Sequence, residues 1–362
     1  MRLVTLFVHV GLPKTGSTTI QGALRQASRR ALNGKDYVGT FCCVGQTGFR
    51  RPPPPIARRV RRRVARGSEL IMSSENLLGK MNSGFDSAAF KAQGLLDFFG
   101  TETDIRLILY LRPQVSWAES LYIQFVKMGA TGTSEQVLSS ILNSRTLKYT
   151  ALVSDLISVV GAQNLVVRAY PPRRSLLSDF DQICGTALAS QTRATEQRNV
   201  SLSSTQTFLL ERINQRGSGS ISRNARFLLE SEHPPLFKRD PYSVLPETLQ
   251  GELNSVEQED WPNLARLVGS TYQPDQDAFE EVVRMTESWR PRQHIDEASA
   301  VGPYGPDATS ALVEALQRAD RSLRLQRLQR NLRRYRPSKL RHARRSLACR
   351  VANLLQPGAG RS

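Results

Sequence analysis

Residues 9–21 read His9-Val10-Gly11-Leu12-Pro13-Lys14-Thr15-Gly16-Ser17-Thr18-Thr19-Ile20-Gln21. The apolar run from Leu3 to Val10 that leads into them suits a buried strand, and Gly11 with Pro13 ends it in a tight turn. After the turn, Ile20, Ala23, Leu24, Ala27 and Ala31 follow the i, i+3, i+4, i+7 spacing of one buried helix face. Ser17, Thr18 and Thr19 therefore stand where a helix leaves backbone N–H groups unpaired and where its dipole favours negative charge. A strand, a glycine-bracketed turn carrying a lysine, and a helix start together predict a site for a phosphate-like anion.

The lysine spacing narrows the choice of anion. A nucleoside-triphosphate loop reads G-x-x-x-x-G-K-[ST], with lysine after the second glycine. Here Lys14 precedes Gly16. The apolar run from Ile105 to Leu111 ends in Arg112 and not in an aspartate suited to Mg²⁺. Metal-dependent phosphoryl transfer by a nucleotide-dependent kinase stays open as the rival enzymatic reading, and ATP turnover with Mg²⁺ would select it.

A second element lies at residues 107–124, Leu-Ile-Leu-Tyr-Leu-Arg-Pro-Gln-Val-Ser-Trp-Ala-Glu-Ser-Leu-Tyr-Ile-Gln. Arg112 ends the predicted strand, Pro113 suits the first helical position, and Ser120 follows the arginine by eight residues. Trp117, Leu121, Phe125 and Met128 give that helix a core-facing side. An arginine fork at a strand end matches phosphate oxygens, and a serine two turns into the helix adds a hydroxyl.

Residues 9–21 resemble the 5′-phosphosulfate loop of sulfotransferases that use 3′-phosphoadenosine 5′-phosphosulfate, particularly the bacterial carbohydrate branch. Residues 107–124 resemble that family's 3′-phosphate element. Fainter likenesses are Ser68 to Leu77, a second core strand followed by an acidic residue, and Asn164 to Tyr170 with Ser178 to Phe180, a later strand and helix. The resemblance spans roughly residues 1–275. It implies a P-loop-like three-layer α/β fold with a central parallel sheet flanked by helices, and transfer of a sulfuryl group to a hydroxyl or amine of a carbohydrate or glycolipid. It assigns donor contacts to Lys14, Thr15, Gly16, Ser17, Thr18, Arg112 and Ser120, with Lys14 meeting charge on the leaving phosphate. Backbone N–H groups from Thr15 to Thr18 and the hydroxyls of Ser17 and Thr18 are the expected further donors. Related enzymes use a glutamate or histidine as base, and Glu75, after the apolar run Leu70 to Met72, is the candidate. The alternative for Glu75 is to charge the first turn of a helix starting near Ser73 or Ser74. His9, on an apolar strand, reads as a core histidine with its partners satisfied.

No metal is expected: His9, His233, His294 and His342 are scattered, and Cys42, Cys43, Cys184 and Cys349 form no C-x-x-C pair. Cysteines without regular spacing argue against a disulfide scaffold and fit a reducing compartment. No apolar stretch has the length of a membrane span, and the run from Leu3 is too short for a secretory core plus cleavage site. The expectation is a cytoplasmic protein, peripheral at most to the inner membrane face.

Net charge is +18, concentrated in two segments. Residues 50–66 carry +8 and residues 318–350 carry +12, which leaves the remaining body at −2. Arginines at 318, 321, 324, 327, 330 and 333 would wind around a whole helix, interrupted by a narrow stripe of Leu325, Leu328 and Leu332. Such a tail suits a solvated arm or a binder of acidic glycans or anionic lipid. With Tyr335 its one aromatic residue, it lacks base-stacking side chains, so nucleic acid is not an expected partner. A polyanion or nucleic-acid-binding protein without transferase activity is the non-enzymatic rival.

The resulting division is an α/β domain over 1–290 with a basic insertion at 50–66, a linker over 291–310 containing Gly302, Pro303, Gly305 and Pro306, and an arginine-rich tail over 311–362. Pro52 to Pro55 read as a stiff exposed connection, with a helix starting near Arg58. Helical patterns at Thr205 to Ile213 and Trp261 to Val268 should pack on the core, with a Gly217 to Ser220 turn between helices.

Overall fold

The computed structural model describes residues 3–39, 44–45, 48–49, 53–139, 141–142, 144–170, 175–191, 202, 204–216, 242–269 and 276–295. The arginine-rich tail, most of the expected linker, the Gly217 to Ser220 turn, Arg50, Arg51, Pro52, Cys42 and Cys43 lie outside these residues.

Five parallel strands form the central sheet: β1 (Val4–Gly11), β2 (Asp36–Tyr37), β3 (Leu70–Ser73), β4 (Thr103–Leu111) and β5 (Leu165–Ala169), in the spatial order β2-β3-β1-β4-β5. Every residue of β3 and β5 is buried, as are seven of the eight in β1. That burial explains continuous apolar runs without strict alternation, because helices cover both faces. Leu6, Val8 and Val10 of β1 face one core, while Phe7 belongs to a second, smaller core on the opposite face.

Around the sheet lie α1 (Ser17–Gln26), α2 (Pro54–Ala65), α3 (Ala88–Phe99), α4 (Gln114–Lys127), α5 (Tyr149–Val160), α6 (Leu176–Cys184), α7 (Ser204–Arg216), α8 (Glu247–Gly269) and α9 (Gln276–Glu287). α1 and α6 cover the smaller core with Ile20, Leu24 and Phe180. The larger core takes Leu95 of α3, Trp117 and Leu121 of α4, Leu152 and Leu156 of α5 and Trp261 of α8. α1 and α4 thus leave neighbouring strands toward opposite faces, which makes the crevice between the ends of β1 and β4 the topological switch point of the sheet.

Several local expectations shift. Pro54 and Pro55 open α2 itself, so the helix begins before Arg58. It docks through buried Val60, with Arg63 paired to Asp36 at 3.4 Å and the Arg61 guanidinium 5.2 Å from the Phe98 ring centre. Pro113 occupies the cap position and Gln114 opens α4. Met128, expected on the core side, caps the far end of α4 and is 70% exposed. Ile295, placed in the expected linker, is buried and its N–H donates to the Ser243 carbonyl at 2.9 Å, while residues 291–294 are exposed.

Candidate functional site

Gly11 and Tyr110 are register partners at the ends of β1 and β4, so the turn after β1 and Arg112, two residues beyond Tyr110, emerge side by side. The turn is built from its own polar atoms. Both the N–H and the hydroxyl of Thr15 donate to the Leu12 carbonyl, at 3.3 and 2.6 Å. Thr15 is therefore a buried brace of the turn, its N–H and hydroxyl both directed at the Leu12 carbonyl. Lys14 and Gly16 both adopt left-handed backbone conformations, with φ of 69° and 82°. This conformation is costly for lysine and free for glycine. Gly16 caps α1 with no side-chain hydrogen bond, and the first turn of α1 carries no acidic residue. The N–H groups of Ser17 and Thr18 thus start a helix with its positive end uncapped by protein.

Two carbonyls of the turn are gripped from the second element. The indole N–H of Trp117 donates to the Pro13 carbonyl at 2.8 Å, and Arg112 Nη1 donates to the Lys14 carbonyl at 3.4 Å. Arg112 also donates from Nε to Ser116 Oγ at 3.0 Å, and its guanidinium lies 5.9 Å from the Tyr170 ring centre. Its own carbonyl accepts the Tyr149 hydroxyl at 2.8 Å. The Lys14 ammonium donates to Gln124 Oε1 at 3.4 Å. Ser116, Ser120 and Gln124 follow one another at i+4 along α4 and share one face of it, so this row runs from the arginine to the lysine. Ser120 is buried in the middle of that row, but the hydroxyl bonded to Arg112 is that of Ser116.

Glu75 opens a 3₁₀ turn, Glu75–Leu77, directly after β3, and its side chain is exposed. Lys91 Nζ anchors that turn by donating to the Asn76 carbonyl at 2.8 Å. A methyl group on Gly11 would fall 2.2 Å from Ser17 Oγ and 3.1 Å from Glu75 Cγ. Glycine is required there because the hydroxyl of Ser17 and the stem of Glu75 both close on the strand end. Ser17 Oγ is buried with no hydrogen-bond partner, and Thr18 is exposed. The structure thus brings together Lys14, Gly16, Ser17, Thr18, Glu75 and Arg112 at one sheet edge.

Beneath the turn, His9 is fully buried; Nδ1 meets Ser73 Oγ at 2.8 Å, whereas Nε2 has no partner. The expectation of a satisfied histidine holds for one ring nitrogen only. Burial pulls its pKa down to about 3, so the ring is neutral at physiological pH. It packs edge-on against Tyr110, whose hydroxyl donates to Asp179 at 2.7 Å, and Arg168 pairs with the other Asp179 oxygen at 3.4 Å.

The donor set is cationic and rich in N–H and O–H groups, with a lysine, an arginine fork, an uncapped helix start and an orphaned buried hydroxyl. It suits an anion bearing phosphate-type oxygens. Among the described residues no cluster of three or more His, Cys, Asp or Glu is arranged to hold a metal ion. Sequence reasoning missed Ser116, Gln124, Tyr149 and Tyr170. The i, i+4, i+8 polar row at 116, 120 and 124 was the available signal for the first two.

Neither a family model nor a curated protein matches the chain. Among solved structures, the chain is similar to a sulfotransferase from Alicyclobacillus acidocaldarius at 14% identity and a TM-score of 0.38, over 77% of this chain and 99% of that one.

Proposed function

We propose that this protein is a sulfotransferase that moves a sulfuryl group from 3′-phosphoadenosine 5′-phosphosulfate to a hydroxyl or amine of a carbohydrate or glycolipid. The observation that supports the reading is the contact of Arg112 with the Lys14 carbonyl, which sets side by side the two elements read as phosphate-binding. The bound donor supplies an activated sulfuryl group and a phosphate leaving group. The chain's own residues align the reactants and stabilise charge. The N–H groups of Ser17 and Thr18 and the Ser17 hydroxyl hold the 5′ end, and Lys14 Nζ meets the charge that grows on the phosphate oxygen as its bond to sulfur breaks. Arg112, with Ser116 and Ser120 along the same helix, holds the 3′-phosphate. The new bond forms between sulfur and the acceptor oxygen or nitrogen, and the acceptor's proton passes to the Glu75 carboxylate. No step requires a metal.

The acceptor class, a cytoplasmic location and contact of the arginine-rich tail with anionic membrane or acidic glycan belong to this proposal. No described helix is long and apolar enough to cross a membrane, which is compatible with peripheral contact. The test is incubation of the full-length protein with sulfur-labelled donor and a cell glycan and lipid extract, alongside Lys14→Ala and Arg112→Ala. The expected outcome is label transfer by the wild type and loss through weaker donor binding in both variants. Absence of donor binding by the wild type overturns the proposal.

A further inference from the structure

α4 carries the polar row that joins Arg112 to Lys14, and later parts of the chain hold it at three places. At its start, the N–H of Val115 donates to Glu257 Oε1 at 2.6 Å. Near its middle, Glu119 accepts from Ser243 Oγ at 3.1 Å and pairs with Arg292. At its end, the Asn214 amide donates to the carbonyls of Val126 and Ala130 at 2.8 and 3.0 Å. Asp260, one turn beyond Glu257 on α8, caps the start of α5: the N–H groups of Tyr149 and Thr150 donate to its two oxygens at 2.7 and 3.2 Å. The Gln114 amide ties the two caps together, donating to Asp260 at 3.4 Å and accepting from the Trp261 indole at 2.7 Å. Glu257 and Asp260 are 2% and 5% exposed, and their carboxylates accept from backbone N–H groups, from the Gln114 amide and from the Thr150 side chain.

Both caps act close to Arg112. Glu257 binds three residues after it in the chain, and Asp260 fixes Tyr149, whose hydroxyl holds the Arg112 carbonyl at 2.8 Å. We propose that Glu257 and Asp260 are positioning residues for the donor site, capping α4 and α5 so that Arg112 is held from both sides. The inference rests on the functional reading above. It also makes residues 242–295 part of the donor site's framework and not an appendage to it. A buried carboxylate aimed at a helix start satisfies N–H groups that an apolar residue would leave orphaned.

The test uses the full-length protein, adenosine 3′,5′-bisphosphate as calorimetric probe, steady-state kinetics and thermal melting, on Glu257→Ala, Glu257→Gln and Tyr149→Phe. Glutamine keeps an acceptor for the Val115 N–H, and Tyr149→Phe deletes only the hydroxyl that holds Arg112. Glu257→Ala and Tyr149→Phe should weaken nucleotide binding about tenfold, the effect of roughly one misplaced charged contact. Donor KM should rise while acceptor KM stays unchanged, and Glu257→Gln should stay within about threefold of wild type. If Glu257→Ala fails to fold, Tyr149→Phe decides. Binding by folded Tyr149→Phe within twofold of wild type, or equal losses in Glu257→Gln and Glu257→Ala, overturns the inference alone. A wild type that does not bind the nucleotide overturns the functional reading and this inference with it.

Discussion

The guanidinium of Arg112 donates to the backbone carbonyl of Lys14 across 98 residues of chain. Trp117, in the first turn of α4, does the same for Pro13. These two bonds hold the turn where Lys14 takes a left-handed backbone conformation that an L residue resists. The turn that carries Lys14 is thus kept in place by the element that carries Arg112, which joins the two sequence motifs physically.

Trp117→Phe tests that dependence. The indole N–H would be lost and the Pro13 carbonyl left without its buried donor, at a cost of about 1–3 kcal/mol. Nucleotide affinity should fall together with stability because the turn loses one of the bonds that α4 and Arg112 make to it. Chemical denaturation and calorimetry on one preparation check it, and retained affinity in a destabilised Trp117→Phe variant would separate the turn from α4.

The left-handed conformation at Lys14 predicts that stability separates two variants that activity does not. Lys14→Gly should be more stable than Lys14→Ala by about 0.5–1 kcal/mol, since glycine relieves the strain and gives part of the gain back as unfolded-chain entropy. Both should lose about 100-fold or more in kcat/KM, the usual effect of deleting one charge-stabilising donor. Thermal melts and turnover on the two variants decide whether the ammonium or the backbone shape matters for chemistry.

Gly11 and Ser17 should be energetically coupled. In Gly11→Ala the new methyl would fall 2.2 Å from Ser17 Oγ, so the hydroxyl or the strand end must move, at about 1–3 kcal/mol. Removing that oxygen in Ser17→Ala opens the space, and the double variant should be less destabilised than the sum of the single ones. Additive losses in a double-mutant cycle would mean that the strand end gives way elsewhere.

Much of this architecture was legible because its signals are local. The β1 and β4 runs and the Gly11 to Gly16 turn declare themselves by composition, and so does the apolar face of α1. Lys14 and Arg112 could be placed at strand ends for the same reason. The lateral contacts were not legible. Ser116 and not Ser120 meets Arg112 because the exact azimuth of α4 decides which serine faces the strand end. Met128 falls outside the core because α4 stops at Lys127 before its apolar row is complete. Thr15 turned inward because its hydroxyl found the Leu12 carbonyl, a competition that residue type alone does not resolve. Glu257 and Asp260 carry no motif at all. Their meaning appears only when α8 crosses the starts of two helices more than a hundred residues earlier in sequence.

Those carboxylates should give the stability curve an unusual shape. Burial pushes the Glu257 carboxyl up to about 7, against the pull of its Val115 hydrogen bond, and burial raises Asp260 as well. Between the ordinary carboxylate value of 4.5 and about 7, the folded protein holds a proton at Glu257 that the unfolded chain has released. Stability therefore falls as pH rises through that window and levels above it, by roughly 3 kcal/mol if the whole shift is expressed. His9 acts in the opposite sense, because the folded ring stays neutral down to about 3 while the unfolded one protonates near 6.5, so stability is lost as pH falls through that range. The two slopes oppose each other from about 4.5 to 6.5, and the fall due to Glu257 should stand alone only near neutrality. Glu257→Gln, which keeps the helix cap but cannot ionise, should flatten the curve near neutrality and leave the acid limb in place. Urea midpoints at half-unit pH steps from 4 to 8 measure it, and an unchanged slope near pH 7 in Glu257→Gln would show that Glu257 does not titrate there.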